Sequence, residues 1–169
     1  MVMEIFHSVF ADYDLRTIDK TLSQPKWRYG HGSREDGCGI PFWIMELDDD
    51  IFFTEYLLNI IRDLVDEPDL NLEHVYANGH VFGDKAMPHV DSYDDDGRTF
   101  LFYANDRWNP LWGGKTCFQL DDGTYQYINP SPNKAVYFPG KITHYAEEVS
   151  RVFSGLRVTI AWKLNGAKH

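Results

Sequence analysis

Cysteine is scarce in this chain. Of 169 residues only Cys38 and Cys117 are cysteines, and they lie far apart. That excludes a disulfide framework and a CxxC zinc signature, and suits reduced thiols in a cytoplasm. No apolar run approaches the length of a membrane span. The opening MVMEIFHSVFADYD has no basic stretch followed by a sustained apolar one, so it does not read as a signal peptide. Positive charge is also short: 16 Lys and Arg face 26 Asp and Glu, a net charge of −10. Such a surface repels phosphate backbones and argues against a general nucleic-acid grip, though it allows a local basic site. Internal repeats, low-complexity tracts and inter-domain linkers are absent. The expectation is a cytoplasmic protein with no membrane and no nucleic-acid partner.

What is present suits one folded domain. Hydrophobic residues make up 43% and aromatics 15%, the latter concentrated in short strand-like runs. Residues 3–10 read as a strand. Residues 12–23 read as a helix capped by Asp12, with Leu15, Ile18 and Leu22 at helical spacing. Residues 26–39 are rich in Gly and Ser and read as an exposed loop. FWIMEL (42–47) reads as a strand. Residues 50–66 give the clearest helix, with Phe53, Leu57, Ile60, Ile61 and Leu64 on one face and Pro68 as its stop. From residue 73 the period changes. HVYANGHVF, TFLFYAN, TCFQL, TYQYI, KAVYFP and RVTIAWKL are strand-like, separated by DGR, WGGK, DDGT, NPSPN and FPGK. Two helices followed by at least six strands predict an α+β, mainly β chain ending in a sandwich or barrel. The acidic runs Asp48–Asp50 and Asp94–Asp96 read as solvated loop charges.

The chemistry concentrates on three residues. His89 and Asp91 are two apart, so an extended backbone points both side chains to one face. His144 follows a strand and a Pro-Gly turn and is the natural third ligand, brought near by sheet pairing. Two imidazoles and one carboxylate on one face of a metal leave positions open, as in non-haem Fe(II) oxygenases. The remaining histidines, His7, His31, His74, His80 and His169, read as surface or satisfied side chains. Arg157 opens the last strand and shares a face with Thr159 and Ala161. A buried Arg needs an anion, and its fork fits a carboxylate. Pairing with a structural Asp or Glu is the bland alternative. Arg151 precedes the strand and reads as loop.

From Tyr76 to Lys163 these pieces form an ordered string. It comprises a Tyr in the strand before the metal motif, HVD, DDDGR, an aromatic strand ending in Tyr and Asn, W-G-G, PGK with a later His, and RVTIAW. The string resembles the 2-oxoglutarate/Fe(II) dioxygenases of the prolyl-4-hydroxylase type, especially the compact soluble prolyl hydroxylases. The resemblance implies a double-stranded β-helix (jelly-roll) core at 73–164 with N-terminal supporting helices in residues 1–72, together one domain over 1–169. It implies that His89, Asp91 and His144 bind Fe(II). It implies that Arg157 and Tyr103 hold the distal carboxylate of 2-oxoglutarate. Thr159 is implied as a further contact, and Tyr76 as a pocket residue. Trp112, Gly113 and Gly114 match a structural turn, and Trp162 matches a core residue. The interval from His144 to Arg157 is longer than the family's, so SRVFSG is expected to bulge.

The implied chemistry couples oxidative decarboxylation of 2-oxoglutarate by O2, giving succinate and CO2, to hydroxylation of an unactivated C–H bond, with ascorbate as an optional reductant. A prolyl residue in a peptide or protein leads as the target, with loops 26–39 and 92–98 bordering its groove. A free amino acid or small metabolite is the alternative substrate. Other readings are a non-catalytic jelly-roll binding module, a cupin-like enzyme without 2-oxoglutarate, and a zinc hydrolase. Asp91 argues against a halogenase, because halide needs that position. The motifs do not specify the oligomeric state.

Overall fold

The computed structural model describes residues 3–32 and 40–166. In chain order they form β1 (Glu4–His7), α1 (Asp12–Leu22), β2 (Arg28–His31), β3 (Phe42–Glu46), a π-helical turn (Phe52–Tyr56), α2 (Leu57–Val65), β4 (Asn71–His80), β5 (Gly97–Tyr103), a 3₁₀ turn (Pro110–Trp112), β6 (Thr116–Gln119), β7 (Tyr125–Ile128), β8 (Lys134–Pro139), β9 (His144–Ala146) and β10 (Arg157–Asn165). The major sheet runs β1-β8-β5-β10-β4-β3-β2, and the minor sheet β7-β6-β9. The pairs are antiparallel. The two sheets build the jelly roll.

Alternation along the central strands divides the molecule into layers. Val158, Ile160, Trp162 and Leu164 of β10, with Phe100 and Phe102 of β5, join Ile18 of α1 and Phe53, Leu57, Leu58 and Ile61 in the larger core. Trp162 is fully buried and donates its indole N–H to Phe53 O at 3.0 Å. Cutting a buried aromatic of this size to alanine costs about 3–5 kcal/mol. The opposite face carries Leu101, Tyr103, Val136, Phe138 and Ala161, packed with Phe118 and Ile128 of the minor sheet. Where the sheets diverge, the same face opens into the cavity.

Several elements differ from the sequence reading. The 26–39 segment is not all loop: Arg28–His31 pairs with β3, and residues 33–39, with Cys38, lie outside the described residues. The residue at the N-cap of α1 is Ala11 rather than Asp12, and Asp14 accepts the Ala11 N–H at 3.3 Å. The 50–66 helix begins with a π turn, whose wider winding rotates the following face. Leu58 is therefore buried and Leu64 is 36% exposed. The helix stops at Asp66, in the left-handed conformation, before Pro68. Asp48 accepts the Val75 N–H and Asp50 the Phe52 N–H, so these charges cap backbone as well as meet solvent. Strand β9 has only three residues, too few for a sequence pattern. The lengthened segment before β10 is a loop, and its Phe153 stacks on Trp112.

Candidate functional site

Residues after β4 leave the major sheet and return beside β9. His89 and His144 exchange two backbone hydrogen bonds, His89 N to His144 O at 3.1 Å and His144 N to His89 O at 2.9 Å. Their rings lie 4.5 Å apart, centroid to centroid. Asp91 N donates to Gly140 O at 2.8 Å, so the Pro-Gly turn sets the third residue. His89 Nε2 is 3.4 Å from Asp91 Oδ1, and His144 Nε2 is 3.5 Å from Asp91 Oδ2. Each imidazole turns its Nδ1 to a backbone carbonyl, His89 to Met87 O at 2.8 Å and His144 to Ile142 O at 2.9 Å. Those bonds place the ring hydrogen on Nδ1 and leave the Nε2 lone pairs converging on one point.

Charge states agree with that geometry. Burial lowers the His144 pKa to about 4 despite the neighbouring Asp91, so the ring is neutral at pH 7. Burial alone would raise the Asp91 carboxyl. The Lys163 ammonium and the two imidazoles outweigh it and hold Asp91 well below the usual carboxylate range. Two imidazoles and one carboxylate are a donor set that fits a divalent iron.

A cavity of about 500 Å³ runs from this cluster along the face of β4 and β10. Its inner end is built around Arg157, which is 1% exposed. Arg157 Nε donates to Gly114 O at 2.6 Å, and Nη2 to Thr116 Oγ1 at 3.2 Å. Among the described residues no carboxylate pairs with it. Burial pulls its pKa down to about 10, which leaves it cationic at neutral pH. Gly113 and Gly114 both have positive φ, and a Cβ on Gly114 would meet Arg157 Cδ at 2.7 Å. The W-G-G turn is therefore shaped to receive this arginine.

Tyr103 stands one residue back from the cavity. It is buried, and its hydroxyl donates to Thr116 Oγ1 at 2.8 Å. Thr116, which lines the cavity, thus accepts two hydrogen bonds and keeps its own O–H free to donate. Thr159 and Ala161 line the cavity beside Arg157, as alternation predicts. Tyr76 also lines it, at the metal end, where it lies opposite Ala161 in the β4–β10 ladder and Lys163 sits 5.8 Å from its ring centroid.

The sequence reading passed over several wall residues. His80 is not a satisfied histidine. It is 3% exposed, lies opposite Arg157 in the ladder, and neither ring nitrogen has a hydrogen-bond partner among the described residues. Burial, with Arg157 adding to it, lowers its pKa to about 3, so it is neutral. Asn78, opposite Thr159, has a buried and unpaired Oδ1. Lys163 continues the alternation 157, 159, 161, and was legible in that pattern. It is buried beside Asp91 Oδ2 as an ion pair. Burial disfavours its charge, but Tyr76 and Asp91 outweigh that and raise its pKa. Gly30, His31, Gly32, Phe42 and His74 form the outer wall, so the N-terminal part does more than support. Of the two loops expected to border a groove, 26–39 contributes and 92–98 adds no lining residue.

With the geometry in place, the comparisons are specific. Residues 74–162 match the model of the 2OG-Fe(II) oxygenase superfamily. The chain belongs to this family. As a member it is a dioxygenase that uses Fe(II), 2-oxoglutarate and O2. No curated protein matches the oxygenase by sequence. Its fold is similar to that of a Pseudomonas putida prolyl-4-hydroxylase, with 17% identity over 98% of this chain and 93% of that one, TM-score 0.69. A Trichoplax adhaerens prolyl hydroxylase, solved with a peptide from the hypoxia inducible factor oxygen degradation domain, shares 14% identity over 97% and 83%, TM-score 0.74. The non-heme alpha ketoglutarate dependent epimerase SnoN from nogalamycin biosynthesis shares 15% over 98% and 78%, TM-score 0.70. These likenesses establish the common fold.

Proposed function

We propose that this oxygenase hydroxylates a prolyl residue in a peptide or protein, with His89, Asp91 and His144 as the iron ligands. The observation that carries the reading is a buried arginine without a carboxylate partner among the described residues, on the same cavity as a convergent His, Asp and His cluster. When bound, the iron supplies the oxidative chemistry, with 2-oxoglutarate and O2 as its cosubstrates. The protein's own part is orientation. Arg157 receives the distal carboxylate of 2-oxoglutarate through its fork, and Thr116 donates its free O–H to the same group. Tyr103 fixes Thr116 rather than touching the cosubstrate, and Thr159 flanks it. The unpaired His80 and Asn78 offer further donors along the inner wall. Tyr76, with His31 and Phe42, gives the substrate side a ring-lined wall suited to a pyrrolidine.

Fold likeness to two prolyl hydroxylases supports a prolyl target. Fold likeness to SnoN keeps a free amino acid or small metabolite as the second reading. The intact donor set and arginine argue against a non-catalytic module. We also take residues 1–169 as one catalytic domain, with 73–164 as its jelly-roll core and 1–72 as a layer that shares the larger hydrophobic core. A cytoplasmic setting is supported by the free buried thiol of Cys117, and no described helix is long and apolar enough to cross a membrane.

The deciding experiment adds Fe(II) and then 2-oxoglutarate to the protein without oxygen. The visible charge-transfer band of the chelate is expected. Succinate release is then compared across proline-containing peptides and free amino acids. No band despite bound iron would overturn the 2-oxoglutarate reading. Turnover with free amino acids alone would replace the prolyl target with the second reading.

A further inference from the structure

One buried cation near the His89, Asp91 and His144 cluster is not used by the proposed 2-oxoglutarate contacts. Lys163 and Thr99 are direct partners across β10 and β5. Both reach the same atom. Thr99 Oγ1 donates to Asp91 Oδ2 at 2.6 Å, and Lys163 Nζ pairs with that oxygen. Thr99 is fully buried and the Lys163 side chain is 16% exposed. A carboxylate oxygen has two lone pairs, and two donors fill them. Each oxygen also stands near one imidazole, Oδ1 3.4 Å from His89 Nε2 and Oδ2 3.5 Å from His144 Nε2, but no hydrogen bond among the described residues reaches Oδ1. The two oxygens of Asp91 are therefore unequal before any metal arrives.

We propose that Lys163 is a positioning residue which, with Thr99, restricts Asp91 to ligation through Oδ1 alone and weakens it as a donor. This rests on the reading of His89, Asp91 and His144 as the iron ligands. Single-oxygen ligation keeps the neighbouring coordination position free, which a two-oxygen grip would consume. The ammonium draws electron density from the carboxylate through a charge-assisted hydrogen bond. It also offsets the charge of Asp91, so the site presents a larger net positive charge to a dianionic cosubstrate. A role for Lys163 as an anchor for a substrate carboxylate is less well served, because its charge is already engaged by Asp91.

The test uses the full chain with Fe(II) and 2-oxoglutarate, without oxygen, and reads the position of the charge-transfer band. Lys163→Met keeps the side chain's length and removes its charge. A freed carboxylate is a stronger donor and makes the iron more electron-rich, so the band is expected to move to longer wavelength. Lys163→Arg should return it toward the original position, and Thr99→Val should move it less, in the same direction as Lys163→Met. An unmoved band in folded Lys163→Met overturns the proposal. If that variant does not fold, an unmoved band in Thr99→Val does so. Absence of a band in the unaltered protein despite bound iron would instead overturn the site reading, and this inference with it.

Discussion

Two clusters in this molecule combine histidine with carboxylates, and their difference shows what separates a ligand set from an ion-pair network. His89, Asp91 and His144 line the cavity, while Glu46, Asp48 and His74 are more exposed and only His74 of them reaches its lining. In the first, each imidazole spends Nδ1 on a backbone carbonyl and turns an Nε2 lone pair inward. In the second, the single imidazole turns Nε2 toward two carboxylates, Glu46 at 2.8 Å and Asp48 at 3.0 Å. That nitrogen carries the hydrogen and has no lone pair to give. Arg28 already engages Glu46, and the Val75 N–H already engages Asp48. Proximity of donor atoms is common to both, and convergence of free lone pairs belongs only to the first.

Breaking the first cluster should have the largest effect. His144→Ala removes one of the proposed ligands and, with it, half of the backbone-registered histidine pair. Loss of an outer hydrogen-bond partner of a metal ligand costs about 10–100-fold in affinity, so removal of the ligand itself is expected to cost at least ~100-fold. Anaerobic Fe(II) titration of the variant checks this. Arg157→Ala comes next. It leaves the metal cluster whole and removes the cation at the inner end of the cavity. The concentration of 2-oxoglutarate that half-saturates the charge-transfer band is expected to rise on the order of 100-fold, with iron binding unchanged. A variant that lost iron as well would merge the two ends of the cavity into one structural unit.

His80 sharpens the contrast through pH. Its pKa falls from 6.5 to about 3 because the ring is buried, with Arg157 as a second cause. Between those values the unfolded chain binds a proton that the folded chain refuses, so acid favours unfolding. The contribution to stability is complete above pH 6.5 and lost as pH falls through about 3. Between pH 7 and pH 4.5 the unaltered protein should lose roughly 2 kcal/mol more than His80→Leu does, measured by urea unfolding. Equal losses would mean that His80 is not held neutral by its surroundings.

How much of this the sequence could disclose depends on the kind of signal. The grouping of His89, Asp91 and His144 was legible because His89 and Asp91 carry a spacing and His144 and Arg157 bracket a turn and a strand start. The face shared by Arg157, Thr159 and Ala161 followed from alternation alone, and Lys163 belongs to the same series. A lysine near a strand end reads as a surface residue, however, until its carboxylate partner is placed. His80 and Asn78 were hidden differently: HVYANGHVF reads as a strand and is one, within β4, but a strand pattern does not tell which of its polar side chains face a cavity. The π turn at Phe52–Tyr56 keeps the same apolar residues as an α-helix and changes only which of them face inward, so composition does not disclose it. Thr116 acquires its importance from Tyr103 and Arg157, contacts that exist only once the two sheets have formed.

The smallest effect is expected at the second cluster. His74→Ala removes the shared partner of Glu46 and Asp48. All three side chains are roughly 40–47% exposed, so solvent screens the attraction. A stability change of no more than about 1 kcal/mol is expected by urea unfolding. Iron stoichiometry in His74→Ala should stay at one per chain. The band position should also hold, because His74, although opposite Lys163 in the β4–β10 ladder, spends its side chain on Glu46 and Asp48 and makes no hydrogen bond or ion pair with Asp91, Lys163 or Thr99 among the described residues. A drop in bound iron would show that the exposed cluster holds metal after all, and that a hydrogen on Nε2 does not disqualify an imidazole that can exchange it for an ion. An unchanged count would confine metal binding to the histidines whose Nδ1 hydrogens are tied to the backbone.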